Sequence, residues 1–163
     1  MTRVDFDLAL KLDNLGIDAP YSEYCEIRDA YALKEFEFFG SDSKVSVGRG
    51  DLIKNYKKYT VDSDDPECKP ENMISAPTLD EARDFLRECY GVYLNILPYW
   101  DAWGEDAYGK THFMLHGYSL DSVKQGKCFD GSFTADCSHY DDYDVALEDL
   151  INLAIDKINC GEA

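Results

Sequence analysis

The sequence predicts an α+β protein in which about three amphipathic helices cover an antiparallel or mixed β-sheet. Two observations carry this prediction. Apolar residues recur every three to four positions near both ends of the chain and around residue 82, as they do along one face of an α-helix. Between these segments, alternating apolar and polar residues, as in Lys34–Phe38, are typical of strands with one buried face.

The first helix is expected from about Asp5 to Asn14, with an apolar stripe of Leu8, Leu12 and Leu15. Gly16 is placed to end this helix, and Ile17 can fold back onto the last turn. Both ends of the helix are therefore predicted from local sequence.

The second helix is expected to begin at Thr78, where Thr-Leu-Asp-Glu fits a capping box, and to end at Gly91. Its predicted buried face consists of Ala82, Phe85, Leu86 and Cys89.

The last helix is expected from about Asp142 to Ile158, with a wide apolar stripe. That stripe consists of Ala146, Leu147, Leu150, Ile151, Ala154, Ile155 and Ile158.

Several shorter segments fit strands, turns and one connection. Strands are expected at residues 21–27, 34–38, 45–47, 92–97, 111–118 and 128–134. Residues 48–50, Gly-Arg-Gly, are interpreted as a turn, and residues 51–60 fit either a short helix or a strand. The length of 163 residues predicts a single domain over 1–163, with a possible subdivision at the acidic loop 61–72.

The charge of the chain argues against two classes of partner. There are 33 acidic and 16 basic residues, a net charge of −17. Such a chain repels nucleic-acid phosphates and anionic lipid surfaces, so we expect no direct nucleic-acid binding and no membrane binding. Charged residues interrupt the apolar N-terminal segment, which argues against a signal peptide and predicts a cytoplasmic protein.

The cysteines and histidines permit two kinds of chemistry, neither of which the sequence favours. The six cysteines are interpreted as free thiols, several of them in the core. A zinc site or a cysteine nucleophile would have to use a group of two cysteines and three histidines in the second half of the chain. These candidates are His112, His116, Cys128, Cys137 and His139. No short Cys-x-x-Cys pair and no nucleophile-elbow motif accompanies them, so we predict no catalytic residue, no metal and no cofactor.

Three segments resemble a family of small acidic proteins that phages and mobile elements of gut bacteria encode. They are LALKLDNLGIDAPYSEY, ISAPTLDEARDFLRECYGVYLNI and HYDDYDVALEDLINLAIDKI. The chain departs from the family pattern at Phe85, where a Trp is usual, and at Tyr90, where a His is usual. The family has no established activity, so the resemblance implies a phage or mobile-element setting and transfers no functional residue.

Two surfaces are the candidate partner-binding sites. The first is the last helix, because no Lys or Arg occurs between Lys127 and Lys157 while eight acids do. Its predicted outward carboxylates are Asp141, Asp142, Glu148, Asp149 and Asp156. The second is the aromatic and acidic loop 98–110, whose predicted anchors are Tyr99, Trp100, Trp103 and Tyr108.

Three functions remain open at this point. The leading hypothesis is a non-enzymatic phage or mobile-element accessory protein that binds another protein. The second is an acidic DNA mimic that inhibits a host nucleic-acid-binding or defence protein. The third is a small enzyme that uses clustered carboxylates or the His/Cys group. Each binding surface has a structural alternative. The carboxylates of the last helix can form a surface that is only solvated, and the aromatic loop can fold inwards.

Overall fold

The computed structural model describes residues 2–17, 27–40, 43–57, 72–99, 112–119, 140 and 142–161. It confirms the α+β class: three helices and only antiparallel strand pairs occur in these residues. The chain divides into two compact units, one of residues 3–78 and one of residues 79–163 together with Thr2. The boundary lies beyond the acidic loop 61–72, and the single-domain assignment stays a prediction.

The first unit contains one helix and five strands. They are α1 (Phe6–Asn14), β1 (Ile27–Ala32), β2 (Phe36–Gly40), β3 (Ser43–Val47), β4 (Leu52–Lys57) and β5 (Met73–Ser75). β1 is the central strand of a three-stranded sheet in the order β4-β1-β5, and β2 and β3 form a separate hairpin. The described strands therefore belong to several small sheets and not to one.

Helix α1 begins and ends as its sequence predicts. The carboxylate of Asp5 accepts a hydrogen bond from the Leu8 N–H at 2.7 Å, which caps the first turn. At the other end Gly16 has φ +86°, and the Ile17 N–H donates to the Leu12 carbonyl at 3.0 Å. This is a Schellman motif, and Ile17 is buried against the end of the helix.

The turn at 48–51 joins β3 to β4 and packs against α1. Asp51 stabilises it, because its carboxylate accepts a hydrogen bond from the Gly48 N–H at 2.7 Å. Gly50 has φ +85°, and a Cβ atom there would lie 3.5 Å from the Phe6 ring. The Arg49 guanidinium lies 5.7 Å from the centre of that ring. The Gly-Arg-Gly turn is confirmed, and its arginine contacts an aromatic ring.

Side-chain contacts connect the segment before α1 to strand β1. The Arg3 guanidinium forms an ion pair with Asp29 at 2.8 Å and donates to the Ala76 carbonyl. The Tyr31 hydroxyl donates to the Val4 carbonyl at 2.6 Å, and its ring meets Phe6 edge-on. These contacts join the segment before α1 to both β1 and the residue after β5.

Several strand predictions needed correction in this unit. β1 extends from Ile27 to Ala32, beyond the expected end at residue 27, because β4 and β5 pair with it on its two sides. β2 starts two residues later than expected, at Phe36. The ambiguous segment 51–60 contains strand β4, and the short strand β5 was not predicted. The other loop and strand predictions cannot be compared with the structure. They fall at residues 18–26, 58–71 and 120–139, which lie outside the described residues.

The second unit contains two helices and a hairpin. They are α2 (Leu79–Tyr90), β6 (Val92–Tyr99), β7 (His112–Ser119) and α3 (Tyr143–Asn159). Gly91 has φ +63°, and its N–H donates to the Arg87 carbonyl at 3.1 Å, so α2 ends and β6 begins after a single residue. Both helices contact β6, and α3 also contacts β7. This helix-on-hairpin packing directs the apolar stripe of α3 inwards.

The buried face of α2 differs from its prediction at two positions. Leu79, Ala82 and Leu86 are buried, whereas Phe85 is only partly buried and Cys89 is exposed. Phe85 meets Tyr90 edge-on, with 5.7 Å between ring centres. Cys89 lies near the end of the helix, where the periodicity of the apolar stripe alone overestimates burial. Its assignment to the core was therefore wrong.

Candidate functional site: the outward face of helix α3

Asp142 positions the start of α3. Its backbone is extended, at φ −124° and ψ 129°, and its side chain accepts hydrogen bonds from the backbone N–H groups of Asp144 and Val145. The distances are 2.8 Å and 3.3 Å. Asp142 is thus an N-cap, and its negative charge lies at the positive end of the helix dipole. The predicted start of the helix is confirmed to within one residue.

The inward face of α3 matches the predicted apolar stripe. Six of its members are buried, and Ile158 near the end of the helix is partly buried. The buried members are Ala146, Leu147, Leu150, Ile151, Ala154 and Ile155. Because the stripe is buried, the residues at the opposite helical angles must face outwards.

Three predicted carboxylates form a line along the outward face. Asp142, Asp149 and Asp156 are all exposed, and each follows the previous one by seven residues. Seven residues are close to two turns of an α-helix, so Asp149 and Asp156 lie on nearly the same side, about 10.5 Å apart along the axis. Asp142 precedes the helix as its N-cap, and its carboxylate contacts the first-turn N–H groups. We call these three residues the carboxylate line.

Two other acidic residues of α3 lie away from this line. Glu148 is partly buried, as is Asp144, whose carboxylate accepts a hydrogen bond from the Thr2 hydroxyl. The fifth predicted residue, Asp141, lies outside the described residues. The outward placement is confirmed for Asp149 and Asp156, whereas the Asp142 carboxylate caps the helix and Glu148 is only partly exposed. The partner-binding role of all these residues stays a prediction.

Sequence reasoning missed the exposed apolar residues of the same helix. Val145 is 52% exposed and Tyr143 is 40% exposed. Val145 lies between Asp142 and Asp149 on the outward face, three residues after one and four before the other. The signal was present in the sequence, because Val145 falls outside the apolar stripe at 100° per residue.

The basic residues of the second unit are distributed unevenly between its helices. On α2, Arg83 pairs with Asp80 at 2.9 Å and Arg87 pairs with Asp84 at 3.3 Å. On α3, the basic side chain is that of Lys157, in the last turn. The carboxylate line therefore has no neighbouring arginine within its own helix, unlike the acids of α2.

Strand β6 extends into the segment that the sequence predicts as an aromatic loop. Pro98 and Tyr99 belong to β6, and Tyr99 pairs with His112 at the end of the hairpin. The interpretation of these two residues as loop was wrong, because the pairing with β7 continues to that point. Trp100, Trp103 and Tyr108 lie outside the described residues, so their role as anchors stays a prediction. Nearby on β6, Leu97 is 52% exposed.

The structure describes only part of the His/Cys group. His112 and His116 belong to β7, where they pair with Tyr99 and Asn95. Cys128, Cys137 and His139 lie outside the described residues. Among the residues that are described, no three His, Cys, Asp or Glu side chains are grouped to hold a metal ion.

The structure describes two of the six cysteines. Cys89 and Cys160 are free and exposed, which confirms the free-thiol prediction for these two and contradicts a core role for them.

Within the described ranges, no helix combines the length and apolar character that crossing a bilayer requires.

No protein-family model matches the chain, and no curated protein or solved structure matches it either. The resemblance to the phage and mobile-element family therefore stays a prediction. The candidate site rests on the geometry of α3 alone.

Proposed function

We propose that this chain is a non-enzymatic accessory protein that binds another protein through the outward face of α3. The observation that carries the proposal is the exposure of Val145 between two members of the carboxylate line. An aliphatic side chain in the middle of an exposed helix face offers apolar contact area, and the carboxylates around it offer charge.

The spacing of the carboxylate line favours a helical partner. Side chains on one face of a β-strand recur about every 6.6 Å, whereas residues seven apart on an α-helix recur about every 10.5 Å. The second period matches the spacing of Asp149 and Asp156. The partner proposed is a basic amphipathic helix that carries Lys or Arg every seven residues and an apolar residue opposite Val145.

The same spacing weighs against the DNA-mimic alternative for this helix. Each DNA strand carries a phosphate about every 3.4 Å of axis, roughly three times the linear density of the carboxylate line. A mimic of the duplex would need carboxylates from other elements to complete the pattern. The α3 face alone supports recognition by a helix better than occupation of a DNA-binding groove.

A direct test uses two synthetic helical peptides of identical composition. In the first, Arg recurs every seven residues beside Leu; in the second, the same residues are distributed around the helix. We expect the first to shift the NMR amide signals of residues 142–159 and to bind at least about tenfold more tightly than the second. Equal affinities would show that net charge alone attracts both peptides, and would contradict the proposed helical partner.

A matched pair of variants tests whether α3 is the binding face. Asp149→Asn with Asp156→Asn removes two charges from α3, and Asp80→Asn with Glu88→Gln removes two from exposed positions of α2. The first variant is expected to weaken binding of the periodic peptide about tenfold at low salt, and the second to leave it nearly unchanged. Equal losses in both variants would place the attraction in the overall charge of −17 and overturn the α3 site.

The natural partner is sought by tagged pull-down from host lysate, with DNase and a salt series, read by mass spectrometry. Capture of a protein that Val145→Ser releases would support the proposed face. Capture of a DNA-binding protein that Val145→Ser leaves bound, and that high salt releases, would favour the mimic. A partner lost only when Trp100 and Trp103 become Ala would transfer the function to the aromatic loop.

A further inference from the structure

We draw no further inference here: the strongest candidate, the exposed Leu97 side chain on the β6–β7 hairpin, is a single apolar residue, and nothing in the described residues shows what covers it.

Discussion

Helices α2 and α3 belong to the same unit and each buries an apolar stripe, yet their outward faces differ. On α2 each arginine follows an acid by three residues and pairs with it, so opposite charges alternate along the surface. On α3 the outward carboxylates are accompanied by Val145 and Asn152 instead. The two arginines of α2 pair with acids of the same helix, whereas α3 contains no arginine of its own.

The largest expected effect concerns the feature that the two helices share. Leu86→Ala in α2 and Leu150→Ala in α3 each remove a fully buried side chain. Each is expected to lower the free energy of unfolding by about 2–5 kcal/mol, because the lost contacts and the cavity act together. Urea denaturation followed by circular dichroism measures the loss.

The control for these core variants is Val145→Ala on the outward face. It is expected to change the free energy of unfolding by no more than about 0.5 kcal/mol, because Val145 is more than half exposed. If Val145→Ala proved as costly as Leu150→Ala, the assignment of an inward and an outward face to α3 would fail.

The second prediction rebuilds the α2 charge pattern on α3. In Asn152→Arg, the new guanidinium lies three residues after Asp149 and four before Asp156, within reach of both. We expect binding of the seven-residue-periodic peptide to fall about tenfold, because internal pairing replaces the intermolecular pairs. Isothermal titration calorimetry measures the affinity.

Asn152→Gln serves as the control, since it lengthens the side chain without adding charge. The present side chain donates to the Glu148 carbonyl at 3.3 Å, so both variants lose that contact and only one gains the pairing. An equal loss of affinity in the two variants would attribute the effect to shape and refute the role of charge pairing.

The third prediction separates the two functions of Asp142, as helix cap and as a member of the carboxylate line. Asp142→Ala is expected to lower the free energy of unfolding by about 1 kcal/mol, because two backbone N–H groups lose their acceptor. Asp142→Asn keeps a capping oxygen and should retain most of that stability while weakening peptide binding. Thermal unfolding and calorimetry on both variants distinguish the cap from the charge, and equal destabilisation by Ala and Asn would show that the carboxylate charge matters more than the hydrogen bonds.

The smallest expected effect is on α2. Arg83→Gln removes the partner of Asp80 at a half-exposed position, and is expected to cost less than about 0.5 kcal/mol. The cost should shrink further at high salt, because exposed pairs are screened. A salt-independent loss above 1 kcal/mol would indicate that Arg83 packs as well as pairs.

The positions of the helices could be predicted from the sequence because their ends depend on neighbouring residues. Asp5 and Asp142 cap residues two or three positions away, and Gly16 and Gly91 end helices through their own positive φ angles. The same local rules placed the carboxylates of α3 on its outward face. The charge pattern of the candidate site could therefore be predicted from the sequence without the tertiary structure.

The strands and the extent to which each helix is buried required the tertiary structure. Residues 52–57 form a strand because β1, far away in the sequence, provides its hydrogen-bonding partner. In α2, Cys89 is exposed and Phe85 is only partly buried, because the elements that pack against a helix determine how much of its apolar stripe is buried. Helical periodicity by itself determined that Asp149, Asp156 and Val145 lie off the apolar stripe of α3; only packing against β6 and β7 decided how much of that stripe is covered, since burial depends on neighbours that the local sequence does not contain.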